Sequence, residues 1–314
     1  MITLDNLKGA LGNSFVTSSI LWAPDEAHWT GRVAANIRKI VRDKTYVVHD
    51  GLFPSSNWGK RTIKPNTFYI RSWNKLMRDT AGNPLDPHKV LKLLTESLPR
   101  PTAICIELRK SQVRLTMIIH DGRIPLALAR RVLIPKSKLA IHKTIYRLDY
   151  PDEWSFQHNA MRDDIPISQP ILRNLVRFYD LIGINTIRLT AGWSAGSAIW
   201  PKCGFRPRRR IRWQYLKVEL RGRHSKLPQL EKSVTNNAFL FSIKDDDPKS
   251  IFKVSDLRFR DFSQLDHAKT AIKYPYDLNG YLLHGWRWAG ILPMCDSLAR
   301  GRLESYLARK GFEI

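Results

Sequence analysis

Polar and apolar positions alternate most regularly in the middle of the chain. The stretch "QVRLTMIIHDGRIPLALARRVLI", from Gln112 to Ile134, holds two apolar runs joined by Asp121-Gly122. That dipeptide favours the tight turn of a β-hairpin. A further strand, "LAIHKTIYRLDY", follows "PKSK". The period then changes. "ISQPILRNLVRFYDLIG" places Leu172, Leu175, Val176 and Tyr179 on one helical face, with Ser168 and Pro170 suited to its start and Gly183 to its end. "INTIRLTA" alternates again and reads as a strand. Shorter helices are expected in "LDPHKVLKLLTESLPRP", in "HWTGRVAANIRKIVRDK", and in "SLARGRLESYLARKGF" after Asp296.

Two stretches are harder to phase. "FPSSNWGKRTIKPN" has loop composition and suits a boundary near residue 65. In "RRRIRWQYLKVEL", Ile211, Trp213 and Tyr215 share one face of an extended chain, while Leu216, Val218 and Leu220 share the other. A strand with a bulge near Leu216 reconciles them. Near the end, "YLLHGWRWAGILPMCD" offers either a stacking surface around His284, Trp286, Arg287 and Trp288 or packing of the C-terminal helix through Leu282, Leu283, Trp286 and Ile291. The packing role is the one expected.

Composition adds one strong fact. The 314 residues are 43% hydrophobic and 10% aromatic, a globular balance, but 52 Lys+Arg face 28 Asp+Glu, a formal net charge of +24. Such a surplus points to an anionic partner, nucleic acid above all. It is concentrated between Arg206 and Lys226, where nine Lys/Arg accompany one acid, Glu219. Arg208, Arg209, Arg210 and Arg212 bind phosphates in this reading, and Trp213 and Tyr215 stack on unpaired bases of RNA or single-stranded DNA. Along a strand, Arg208, Arg210 and Arg212 would lie about 7 Å apart, near the spacing of successive phosphates. Three scattered cysteines without CxxC or HxxxH argue against a disulfide framework or zinc site, and "SIKDDDPKS" reads as a surface turn, so no metal is expected. No apolar run reaches the ~20 residues of a membrane span, and no leader pattern opens the chain. A cytoplasmic protein with no membrane partner is expected.

The stretch "LTAGWSAGSAIWPKCGFRP" carries a more specific signal: a strand, a small-residue turn, a short helix, then Trp200 followed by Gly204-Phe205. With Gly196 four residues before Trp200, it resembles the GNAT-type, acetyl-CoA-dependent N-acyltransferase superfamily over about residues 100–220. The resemblance implies an α+β fold: a mixed, mostly antiparallel GNAT-like sheet flanked by helices. It implies a core at 66–225, between an N-terminal extension at 1–65 and a C-terminal extension at 226–314. It also implies acetyl-CoA as cofactor, held near Arg162, Ser168, Gly196 and Trp200, and a general base at His142, Glu153 or His158. The chain departs from the family pattern where the pyrophosphate loop should be. "MRDDIPISQP" has no glycine, two prolines and two aspartates. Two readings therefore stand: an acyltransferase acting on an amine, such as one linked to RNA, or a GNAT-like fold that binds nucleic acid without chemistry.

Overall fold

The computed structural model describes residues 46–49, 73–98, 102–120, 125–147, 168–191, 196–262 and 277–314. It shows the expected class, α+β with a mostly antiparallel sheet flanked by helices. The chain forms two compact units that divide between Asn185 and Thr186, inside the 66–225 segment. The helix expected in "HWTGRVAANIRKIVRDK" and the loop "FPSSNWGKRTIKPN" lie outside the described residues.

The first unit is an antiparallel meander. Strands β1 (Tyr46–His49), β2 (Thr102–Leu108), β3 (Val113–His120), β4 (Pro125–Ile134) and β5 (Leu139–Arg147) each pair with the next. The alternation in the sequence sets which face is buried: Ile104 and Ile106 on β2, and Val113, Leu115, Met117 and Ile119 on β3, are at most 2% exposed. β3 and β4 form the hairpin read from the sequence, with Asp121-Gly122 itself outside the described residues. Lys138 takes the left-handed conformation between β4 and β5, closing the short 3₁₀ turn Pro135–Ser137. Two helices pack together beside these strands, α1 (Pro87–Thr95) and α2 (Ser168–Leu181). Leu172, Leu175, Val176 and Tyr179 are all buried on α2, and Gly183 sits at φ +69° just past its end. Asn174 is fully buried and donates its side-chain amide to the carbonyls of Leu94 (3.1 Å) and Glu96 (2.8 Å) at the end of α1. Arg173 and Arg177 reach the Glu96 carboxylate at the same place.

The second unit has strands β6 (Thr186–Ala191), β7 (Arg206–Pro207) and β8 (Trp288–Pro293), with β8 antiparallel to both β6 and β7. Around them lie α3 (Gly196–Lys202), α4 (Arg210–Ser225), α5 (Gln229–Ile243), α6 (Ile251–Asp256), α7 (Leu278–Leu283) and α8 (Ser297–Ala308). Asp296 caps α8 by accepting from the Ala299 amide at 3.2 Å. Ala299, Leu303 and Leu307 form its buried stripe. Leu282 and Leu283 are fully buried on α7, which packs against α3, α4 and α6. Trp288 is also buried and Trp286 lies under the Arg223 guanidinium at 4.5 Å, so the two rings form no open stacking surface.

Candidate nucleic-acid interface

The small-residue stretch has the expected order: β6, then α3, then a turn at Cys203-Gly204, with residues 192–195 outside the described set. Gly204 needs its missing side chain. Its φ is +81°, and a Cβ there would lie 2.1 Å from the Ala299 carbonyl oxygen of α8. The turn delivers Phe205 into the core, fully buried, with the half-buried Trp200 ring edge-on to it at 5.1 Å. Gly196 opens α3 and Trp200 lies near its end, where its ring packs on Phe205. From Phe205 the chain runs through β7, and the Arg208 amide adds one more bond to β8 at Ala289.

The segment that follows is a helix, which corrects the strand expected in "RRRIRWQYLKVEL". The residues that seemed to change face are at helical spacing. Trp213, Leu216, Lys217, Leu220 and His224 are buried, the i, i+3, i+4, i+7 pattern of one face. Ile211, Tyr215 and Val218 are 50%, 63% and 62% exposed on the opposite face. No bulge is needed. The correction also removes the ladder of arginines about 7 Å apart, because helical neighbours two residues apart point roughly 200° away from each other.

What holds the inner face of α4 is the aspartate run at 245–247, which is the surface turn expected. Trp213 Nε1 donates to the Asp245 carbonyl at 3.0 Å. The Lys217 ammonium, on a nearly buried side chain, meets the Asp246 carboxylate at 2.7 Å, and Arg210 reaches the same carboxylate at 2.8 Å. The two hydrogen bonds, Lys217's the larger effect, hold the Asp246 carboxyl down at about 2. Asp247 caps the next turn through the Lys249 amide. Trp213 is thus a core residue at 0% exposure and does not stand ready to stack on a base. Tyr215 does.

The outer face therefore has a defined composition. Arg208, Arg209, Arg210 and Arg212 are all exposed around the first turn. Arg210 is engaged with Asp246, which leaves Arg208, Arg209 and Arg212 for an outside anion. One turn further along, Tyr215 stands between Ile211 and Val218, with Arg212 a turn before it, the exposed Glu219 a turn after it and Arg221 exposed on the flank. An aromatic ring with arginines on one side can stack on a base while those arginines hold the neighbouring phosphates.

The other expected site residues fall elsewhere. Glu153, His158 and Arg162 lie outside the described residues. Ser168 is exposed at the start of α2, its hydroxyl donating to Gln169 at 3.0 Å. His142 is 5% exposed on β5, with Nε2 3.0 Å from the Tyr179 hydroxyl of α2. The β4–β5 register places Arg131 directly opposite it, also buried. Burial first, and the Arg131 charge second, push the His142 imidazole well below the usual histidine range. A ring so placed is a weak base, and it faces Tyr179 rather than solvent. The Arg131–His142–Tyr179 cluster was not read from the sequence. Its one visible signal was Arg131 standing in phase with the buried Ala129 and Leu133. Among the described residues no group of His, Cys, Asp and Glu has the arrangement of a metal site, and no helix is long and apolar enough to cross a membrane. No family model, curated protein or solved structure matches the chain.

Proposed function

We propose that this protein binds RNA or single-stranded DNA through the outer face of α4 and the arginines that precede it, in a cytoplasmic setting. The observation that carries the reading is Tyr215, 63% exposed on a helix whose other face is anchored, with Arg208, Arg209 and Arg212 exposed one turn away. The formal +24 charge supplies long-range attraction to a polyanion. The test is fluorescence anisotropy with a single-stranded oligonucleotide across a salt series. Arg208, Arg209 and Arg212 together changed to Gln should flatten the log–log salt slope by about two units, at about 0.7 per phosphate. Tyr215→Ala should weaken binding about tenfold or more at fixed salt, as loss of one base stack does. Unchanged slope and affinity in both variants would refute the interface.

The acyltransferase reading keeps one observation in its favour: β6, α3 and the Gly204-Phe205 turn follow the order that the GNAT-type resemblance implies. In that reading acetyl-CoA supplies the acyl group and an amine on a nucleic acid receives it, so the α4 face would hold the acceptor. The base is then sought at Glu153 or His158 before His142, whose imidazole is buried. Calorimetry with acetyl-CoA decides it: no heat at millimolar coenzyme leaves nucleic-acid binding alone.

A further inference from the structure

We infer that a groove in the second unit, outside the α4 face, is a binding site for a phosphate group. The groove, of about 690 Å³, runs between the end of α3, the end of α6 with the turn after it, and one side of α8. Four cationic side chains line it, Lys202, Arg258, Arg302 and Arg309, against two carboxylates, Asp256 and Asp261.

These charges divide into a structural pair and an unmatched group. Arg302 grips both oxygens of Asp256, at 2.9 and 2.6 Å, donates to Ser255 and Pro201, and lies 4.9 Å over the Phe252 ring. That pair is a wall of the groove and neutralises Asp256. Lys202, Arg258 and Arg309 remain, and none of them makes an ion pair with a carboxylate among the described residues. Asp261 is the other acid of the lining, and Asp277, outside the lining, is close enough to Lys202 to act on its charge.

The cluster is costly as it stands. The Lys202 side chain is half-buried, and burial first, then the Arg258 charge, lowers its pKa from the usual lysine value. Asp277 and Asp256 pull it back up, and Arg309 adds a smaller lowering. Gathering two arginines around one half-buried ammonium raises the free energy of the empty groove, and a bound anion removes that penalty. At Gly301 of α8 a Cβ would meet nothing within 4 Å, and the neighbouring Ser297 and Ser305 bring hydroxyl groups to the same lining. Two arginine forks, an ammonium and hydroxyls match the oxygens of a doubly charged phosphate.

This inference is independent of the α4 reading, since it uses none of the same residues. The probes are inorganic phosphate, and an oligonucleotide with a 5′-phosphate compared with its 5′-hydroxyl twin, each titrated by calorimetry at constant ionic strength. The expected result is saturable binding of phosphate, or preference for the 5′-phosphorylated oligonucleotide; the two arms tell a free anion from a nucleic-acid end. Arg258→Gln should weaken that binding about tenfold or more, the effect of one lost charge-assisted contact. Lys202→Gln should do the same and serves if the arginine variant does not fold. The Arg208, Arg209, Arg212 triple variant should leave phosphate binding unchanged. Absence of saturable binding in both arms, or wild-type affinity in a folded Arg258→Gln or Lys202→Gln protein, overturns the site.

Discussion

Acidification should loosen the second unit through His224, and the size of the effect follows from its surroundings. The imidazole is 3% exposed and stacks on Phe239, with ring centroids 4.1 Å apart and planes 5° from parallel. Its Nε2 lies 2.9 Å from Thr235 Oγ1, and that hydroxyl gives its single proton to the Glu231 carbonyl at 2.7 Å. Toward His224 the hydroxyl is therefore an acceptor, so Nε2 carries the hydrogen and Nδ1 is the site that would protonate. Burial, and then the nearby Lys232 charge, lower the pKa to about 4. The folded value is below the unfolded one, about 6.5, so between the two the unfolded chain binds more protons and stability falls as pH falls. Going from about pH 7 to about pH 4.5 should cost about 2 kcal/mol from this residue alone, out of a full linkage near 3 kcal/mol. His142 adds a loss of the same sign in the first unit. Urea titrations at the two pH values, on wild type and on His224→Phe, isolate the His224 share. Phenylalanine keeps the stack on Phe239 and cannot titrate, so the variant should lose about 2 kcal/mol less on acidification. Equal losses in the two proteins would mean that His224 is not buried in this way.

Two further predictions probe the backbone and the helix phase. Gly204→Ala should destabilise by about 3 kcal/mol in thermal or urea unfolding, adding left-handed strain to a clash with the α8 backbone. Gly222→Ala, on the open side of α4, should instead stabilise by about 0.5–1 kcal/mol. Leu216→Asp should abolish folding, whereas Val218→Asp should stay within about 0.5 kcal/mol of wild type, because one side chain is 6% and the other 62% exposed. Circular dichroism separates the outcomes, and similar damage from both changes would restore the strand.

The local pattern revealed those elements whose own residues decide them. Val113, Leu115, Met117 and Ile119 alternate without interruption, and the β3 strand follows from them. Leu172, Leu175, Val176 and Tyr179 likewise mark α2 without outside help. α4 was misread because Ile211, Trp213 and Tyr215 imitate an alternating strand for two steps, and the arginines between them suit either form. What decides the matter lies some thirty residues downstream, where the Asp245 carbonyl receives Trp213 and the Asp246 carboxylate receives Lys217. A pattern read within one segment cannot register such a partner. The phosphate groove was hidden for the same reason: Lys202, Arg258 and Arg309 are unremarkable where they stand in the sequence and meet only after folding. Tyr215 was legible as a candidate, while its separation from Trp213 was not.

The buried amide of Asn174 has a consequence for how the first unit comes apart. It closes the last turn of α1 from the middle of α2, so the carbonyls of Leu94 and Glu96 have their partner only while both helices are in place. An end that would ordinarily fray in isolation is tied to an element about eighty residues later in the chain. The two helices therefore open to solvent as one cooperative unit, and amide hydrogens in the last turn of α1 exchange at the rate of α2 rather than at the rate of a free helix end.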